Sequence, residues 1–375
     1  MKKPLLLAAI SLAAILLLAG CGGGGSTAAV AGASAQQAAE TEAAEVATAT
    51  ETNETAEESD LGGSLEADGT SGDKLPQRSS EPAAVSGSPT VYFTSDISAE
   101  GLVRIYEALG WTPSGKTAVK ISTGEPPASN YLRPELIGDL VQKLDGTIVE
   151  CNTAYGGSRA SSAMHRQVAE DHGFTAIADF DLMDEEGEVE WPVTGGSRLD
   201  KIIVGSHAEN YTDWVILSHF KGHAMAGFGG AIKNVGIGIS SPSGKVYVHS
   251  AGTRTSGSIM HSDQDEWLEA LAEMVSGFRD HVGEEHIIYI NVMNRLSVDC
   301  DCDGNPDEPD MHDIGILASF DPVALDQACV DLVYQAQDSE ALVNRIESRN
   351  GIHTLEHAEE IGLGSRIYEL VSIDE

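Results

Sequence analysis

From Val91 onward, short runs rich in β-branched residues alternate with longer stretches whose apolar positions recur every three or four residues. The short runs predict strands at Val91–Thr94, Ala118–Ile121, Thr147–Cys151, Lys201–Val204, Trp214–Leu217, Lys245–Val248, His286–Asn291 and Ile314–Leu317. The periodic stretches predict helices. One runs from Ser98, a capping residue, through Ala108 and is stopped by Gly110; another runs from Pro134 to Leu144. Further helices fit 159–171, 263–282 and 322–335, the last opened by Asp321-Pro322. Such alternation predicts an α/β fold, a largely parallel sheet with helices on both faces. No internal repeat is visible.

Before Val91 the pattern differs. After Met1-Lys2-Lys3, Leu5 to Ala19 is a nearly unbroken apolar run of 15 residues, short for a spanning helix and laid out like a secretory signal. It ends Leu18-Ala19-Gly20-Cys21, which resembles the lipobox of bacterial lipoproteins. Residues 1–20 therefore read as a signal peptide. Cys21 reads as the lipidated first mature residue, anchoring the protein outside the cytoplasm on the bacterial cell membrane. Residues 22–89 hold 12 acids against Lys74 and Arg78, and all 20 aromatics lie at or after Tyr92. A stretch without large apolar groups cannot offset its ordering entropy by burial. Residues 21–89 thus read as a disordered acidic tether and 90–375 as one folded domain. The whole chain carries a net charge of −37. That excludes a nucleic-acid binder, which needs a basic face, and a polybasic membrane-surface module.

Three segments follow predicted strands, where open α/β sheets carry their sites. In the first, Asn152 to Arg159 holds Gly156 and Gly157, and Arg159 could clamp a carboxylate or phosphate. His165 and His172, seven residues apart beyond it, read as ordinary surface histidines. The second segment runs from Ser218 to Asn234 and gathers His219, Lys221, His223, Gly229, Gly230 and Lys233, with His249 ending the next strand. Histidine is the neutral-pH base and a metal ligand, and a desolvated lysine is a nucleophile. His219, His223 and Lys233 are the catalytic candidates. Lys221, Lys233, His249, Gly229, Gly230 and Arg159 are the candidates for binding a cofactor or a small anion.

In the third segment Asp299, Asp301 and Asp303, then Gly304 and Asp307, match the opening of a calcium loop, with Asp310 at position twelve. Cys300 and Cys302 could instead ligate a soft metal with His219, His223 or His312. A third reading is a disulfide, and pairing of either with Cys151 is favoured over the strained link between residues two apart. A solvated loop is the fourth. Cys329 falls on an apolar helix face and reads as core.

Together these pieces resemble the family of domain-of-unknown-function 362 proteins, often labelled iron–sulfur-centre proteins. The matching pieces are Val119-Lys120, Asn152-Thr153 with Arg159, Ser218 to His223, Gly227 to Ala231 with Lys233-Asn234, Cys300-Asp301-Cys302, and Asp313 to Ala324. Many members carry a cysteine-rich ferredoxin-like insertion where this chain has Ser250 to Asp263 without cysteine, so no 4Fe-4S cluster is expected. Locally, His223-x-x-Ala226-Gly227-Phe228-x-Gly230-x-x-Lys233 is similar to a segment of nickel-pincer lactate racemases. That resemblance implies a proton-transfer role for His223, a lysine holding a pyridinium-derived nickel cofactor at Lys233, and a metal ligand at His249. His219 and His165 are the candidates for a second base. Two functions stand: a lipid-anchored enzyme or redox protein with a metal or metal-containing cofactor and a small anionic substrate, or a non-enzymatic binding lipoprotein stabilised by calcium.

Overall fold

A computed structural model describes residues 87–260, 263–309 and 311–374. The signal sequence, Cys21, nearly all of the tether and Asp310 lie outside the described residues. In chain order the strands are β1 (Thr90–Thr94), β2 (Thr117–Lys120), β3 (Thr147–Glu150), β4 (Phe180–Leu182), β5 (Glu188–Pro192), β6 (Lys201–Gly205), β7 (Asp213–His219), β8 (Lys221–His223), β9 (Gly227–Gly229), β10 (Ile287–Met293), β11 (Gly315–Ser319) and β12 (Glu369–Ser372). Eight of them form one sheet in the order β12–β1–β11–β10–β7–β2–β3–β4. β11 runs against both of its neighbours, and every other adjacent pair is parallel.

Parallel pairing fixes where the loops collect. Val119 stands beside Val215 and Ile148, and Ile288 stands beside Val215. The carboxyl ends of β10, β7, β2 and β3 therefore open on one edge of the sheet. The chain order reverses between β2 and β7, and a crevice at such a point is where open sheets bind ligands.

Side chains of the central strands alternate between two cores, so both faces are covered. Val119, Val215, Leu217 and Ile290 face α1 (Ala99–Leu109) and α2 (Pro134–Lys143). Ala118, Trp214, Ile216 and Tyr289 face the opposite core. After α3 (Ser162–Asp171), the remaining helices are α4 (Ala231–Gly236), α5 (Pro242–His249), α6 (Gln264–Val282), α7 (Pro322–Gln335), α8 (Glu340–Ser348) and α9 (His353–Glu360). Capping residues set the boundaries as expected: Ser98 Oγ accepts the Gly101 N–H at 3.0 Å, and Gly110 ends α1 with φ of 65°. None of the described helices is long and apolar enough to cross a membrane.

The structure corrects three elements. Lys245–Val248, expected as a strand, lies inside α5. Its valines suit a strand, but Ser241 accepts the Gly244 N–H and Pro242 sits at the first helical position, so the local start signal outweighs the β-branched residues. Residues 201–205 are a strand, yet β6 pairs antiparallel with β5 in a separate ribbon. The helix expected from 159 begins at Ser162, leaving Arg159 in the loop.

The glycine-rich turn before α4 is held from below by Asp326. Its carboxylate accepts N–H groups from Ala231 at 2.8 Å and Ile232 at 3.0 Å, and the Asn291 amide at 2.7 Å. Only glycine fits at 230, because a Cβ there would lie 2.3 Å from Asp326 Oδ1. Burial pushes the Asp326 carboxyl up to about 6. Asp326→Ala orphans two buried backbone donors, and urea unfolding at pH 7 should show a loss on the order of 3 kcal/mol. A loss below about 0.5 kcal/mol, the range of an unconstrained surface change, would contradict this support.

Candidate functional site

At the end of β2, Lys120 is fully buried. Its amine donates to the Ile121 carbonyl, to Glu150 Oε2 at 2.9 Å and to Asn234 Oδ1 at 3.1 Å. Glu150, ending β3, also accepts the Thr123 N–H at 2.9 Å and lies 3.7 Å from the Arg159 guanidinium. Burial alone would raise the Glu150 carboxyl, but Lys120, with His165 and Arg159, outweighs it and holds it at about 2. Arg159 is buried as well. Its Nε donates to Glu125 Oε2 at 3.1 Å and an Nη to the Tyr155 hydroxyl at 3.1 Å.

β7 ends on His219, whose two ring nitrogens face two acceptors. Asp301 Oδ1 lies 2.8 Å from Nδ1 and the Asn294 carbonyl 2.7 Å from Nε2. A ring between two acceptors satisfies both only when each nitrogen carries a proton. Asp301 Oδ2 accepts from Lys221 Nζ at 2.6 Å. Burial would raise the Asp301 carboxyl, but Lys221 and His219 outweigh it and hold it well below the usual carboxylate range. The same burial lowers the Lys221 amine.

His223 differs. Its Nδ1 accepts the backbone N–H of Met225 at 3.2 Å and of Ala226 at 2.9 Å. Backbone amides only donate, so Nδ1 is the bare nitrogen and the proton sits on Nε2. Burial and the nearby Lys233 charge keep this ring well below its ordinary titration range. His223 is thus a neutral ring that offers an Nε2–H. Lys233, on α4, has no hydrogen-bond or ion-pair partner among the described residues. Burial, then the Lys221 charge, pushes its amine down to about 7. Lys245, on α5, donates to the Ser240 carbonyl at 2.6 Å, and burial lowers it too. His249 ends α5 and stacks on Trp267, ring centroids 5.0 Å apart.

These groups line one cavity of about 330 Å³ above the β2–β7 reversal. Lys120, Arg159, Lys221, Lys233 and Lys245 face it, against the carboxylates of Glu150 and Asp301. His219, His223, His249, Gly229 and Gly230 line it too, with Cys300 and Cys302 at its wall. The first two segments and part of the third therefore meet as one site. Lys120, Lys245 and Glu150 were not anticipated. Each lies within or beside an apolar run, and the signals available were a charge where the pattern called for an apolar residue and, for Lys120, its place in the Val119-Lys120 piece of the resemblance.

The third segment divides. Cys300 and Cys302 are joined as a disulfide, whereas Cys151 is free, buried, and donates its thiol to the Ile239 carbonyl at 3.2 Å. The favoured pairing with Cys151 is therefore corrected. A turn at Asp301 brings the two neighbouring Cα atoms to 5.3 Å, within the span of a disulfide. Ligand atoms of His223, Cys300 and Cys302 lie within 4.8 Å of one another, a group that could hold a metal when the disulfide is reduced to two thiolates. Among the described residues, Asp299, Asp303 and Asp307 belong to no such group. Asp299 lies 3.7 Å from Arg345 and accepts the Asp307 N–H, while Asp303 accepts the Asn305 N–H. The exposed histidines expected on α3 are also corrected. His165 is fully buried, 2.9 Å from Thr123 Oγ1, and His172 is partly buried and stacked on Tyr131. An amphipathic reading of α3 could not show that Thr123 and Asn152 would meet His165 from other segments.

A family model described as "Domain of unknown function (DUF362)" matches residues 117–331, more than half of the chain. No curated protein matches the chain. Among solved structures, the lactate racemase apoprotein from Thermoanaerobacterium thermosaccharolyticum is 14% identical, with a TM-score of 0.36, over 54% of this chain and 50% of that one. A structural-genomics target protein from Thermotoga maritima is 12% identical, with a TM-score of 0.36, over 70% of this chain and 58% of that one. The chain thus spans about half the length of the first and somewhat more of the second.

Removing the Asp301 charge strands Lys221 and His219 in the interior. Asp301→Asn should cost about 3–5 kcal/mol at pH 7, as breaking a buried pair from one side does. Because the folded carboxyl is depressed, its stabilisation is complete above its unfolded value of about 4 and is lost as the pH falls below that. The variant should therefore lose stability less steeply than the parent as the pH falls below about 4 in urea melts. Equal stability at pH 7 and equal acid slopes would contradict the assignment.

Proposed function

We propose that this chain, which belongs to the DUF362 family of domains of unknown function, binds a small carboxylate- or phosphate-bearing ligand in the cation-lined cavity and uses Lys233 as its reactive amine. The observation that carries the reading is the charge of the cavity wall. Five cationic side chains face two carboxylates there, in a chain of net charge −37. Both carboxylates are already engaged, Glu150 by Lys120 and Asp301 by Lys221, and Arg159 is paired with Glu125, which leaves Lys233 and Lys245 without a carboxylate partner among the described residues. An anion entering the cavity would relieve the mutual repulsion of the remaining cations in a low-dielectric setting, where charge interactions are strong.

Lys233 is the group best suited to chemistry. An amine near 7 is largely unprotonated at slightly alkaline pH and can attack a carbonyl or accept a proton. Gly229 leaves room for it, since a Cβ there would come within 3.3 Å of the Lys233 chain. His223 would act as a fixed neutral donor through Nε2–H, and His219, held at both nitrogens, as a strut. The local resemblance implies a nickel-bearing, pyridinium-derived cofactor. The residues present fit it, because Lys233, His223 and His249 line the same cavity and the Lys233 amine has no hydrogen-bond or ion-pair partner among the described residues. Lys233 would hold the organic part and His249 the metal, and the group would supply a Lewis acid. We further place the domain outside the cytoplasm, on a lipid at Cys21 and the acidic stretch 21–89; the small residues before Cys21 and the aromatic-free composition support that reading.

Pyridoxal 5′-phosphate, an anionic aldehyde, is a direct probe. At pH 7.5 it should form an imine that borohydride traps, and peptide mapping should find it at Lys233 ahead of the exposed lysines such as Lys116 and Lys143. Inorganic pyrophosphate should protect the site. Labelling spread over surface lysines, unchanged by Lys233→Met, would overturn the proposal.

A further inference from the structure

Cys300 and Cys302 stand at the wall of the same cavity as Lys221 and Lys233, and they are joined. We propose that this disulfide is a redox couple that takes two electrons from a small anionic thiol held in the cavity. The proposal deepens the anion-binding reading of that site and rests on it.

Four features of the site support the couple. Cys300 is buried at 6% exposure, Cys302 is half-buried, and both line a cavity of about 330 Å³ that has room for a small thiol. Asp301 lies between the two cysteines, but its carboxylate is bound by His219 and Lys221, so the adjacent charge does not repel a thiolate. A ring nitrogen of His223 lies within 4.8 Å of both sulfurs, and this ring is a neutral N–H donor. Lys233 supplies an amine with no partner of its own among the described residues. Cationic, donor-rich surroundings stabilise a thiolate leaving group and speed exchange.

The step balances. The incoming thiolate attacks Cys302 Sγ, and its sulfur bonds there while the S–S bond breaks. The electron pair of that bond leaves on Cys300 Sγ as a thiolate. The thiolate of a second small molecule attacks the sulfur that the first one contributed to the mixed disulfide; that sulfur's bond to Cys302 Sγ breaks, which forms the small-molecule disulfide and releases Cys302 as a thiolate. The two cysteine thiolates take up the two protons given up by the small thiols. The substrate is oxidised by two electrons and the cysteine pair is reduced by two.

The test compares three thiols of different charge on the oxidised full-length protein: thioglycolate (anionic), 2-mercaptoethanol (neutral) and cysteamine (cationic). Each rate of appearance of alkylatable Cys300 and Cys302, read by mass spectrometry, is divided by that thiol's rate with a small uncharged disulfide. Thioglycolate should lead cysteamine by about tenfold or more, the scale of electrostatic steering into a charged cleft. High salt and Lys233→Met should shrink that ratio towards one. Reduction at rates independent of probe charge would overturn both this proposal and anion binding. A disulfide that thioglycolate leaves intact, while pyridoxal phosphate still labels Lys233, would overturn the redox couple alone.

Discussion

A buried cation needs a counter-charge, and Asp301 supplies one to two cations at once. One of its oxygens meets His219 at the end of β7 and the other meets Lys221 on β8. That single carboxylate, brought in by the loop after β10, ties three elements together and fixes the height of the cavity wall. Desolvating such a group is costly and is compensated only when both oxygens are engaged. Glu150 performs the same service across the crevice, between Lys120 and Arg159.

The two carboxylates do not balance the site. With Lys120 and Lys221 tied to them, and Arg159 held mainly by a third carboxylate, Glu125, Lys233 and Lys245 add positive charge to the same enclosed space. The cost appears in the lysines themselves, since Lys221, Lys233 and Lys245 all have amines lowered by burial. Proteins tend to hold such perturbed groups where they have work to do. The glycine-rich turn belongs to this economy of space: Gly230 lets Asp326 grip the start of α4, and α4 carries Lys233 and Asn234 to the crevice.

Much of this arrangement was legible from residue pattern. Trp214–Leu217 and Ile287–Ile290 are apolar at consecutive positions, and Ala118–Ile121 is so except for Lys120, as strands covered on both faces tend to be, and parallel neighbours then place their following loops on one edge. That logic is what brought Arg159, His223, Lys233 and Cys302 into one site. Elements without such runs stayed hidden. β8 and β9 are three-residue strands made of Lys, Gly, His and Phe, and β12 is an exposed edge strand. Lys245–Val248 misled because its valines carry the strand signal while Ser241 and Pro242 carry the helix start. Lys120 and Lys245 were missed because a lysine inside or at the start of a predicted strand gives no sign in the sequence of which partners will bury it. Their burial depends on partners such as Glu150 and Asn234, which lie 30 and 114 residues away from Lys120. The disulfide depends on a turn at Asp301 that is itself set by His219 and Lys221.

The account turns on whether the cavity holds more positive charge than its own acids can neutralise. The direct measurement is the titration of Lys233 by NMR of protein carrying ¹³C at lysine Cε, assigned with Lys233→Met. The resonance should titrate near pH 7 in the free protein and move to higher pH when inorganic phosphate saturates the site. A Lys233 that titrates above pH 10, like a solvated lysine of about 10.4, and ignores phosphate would contradict it.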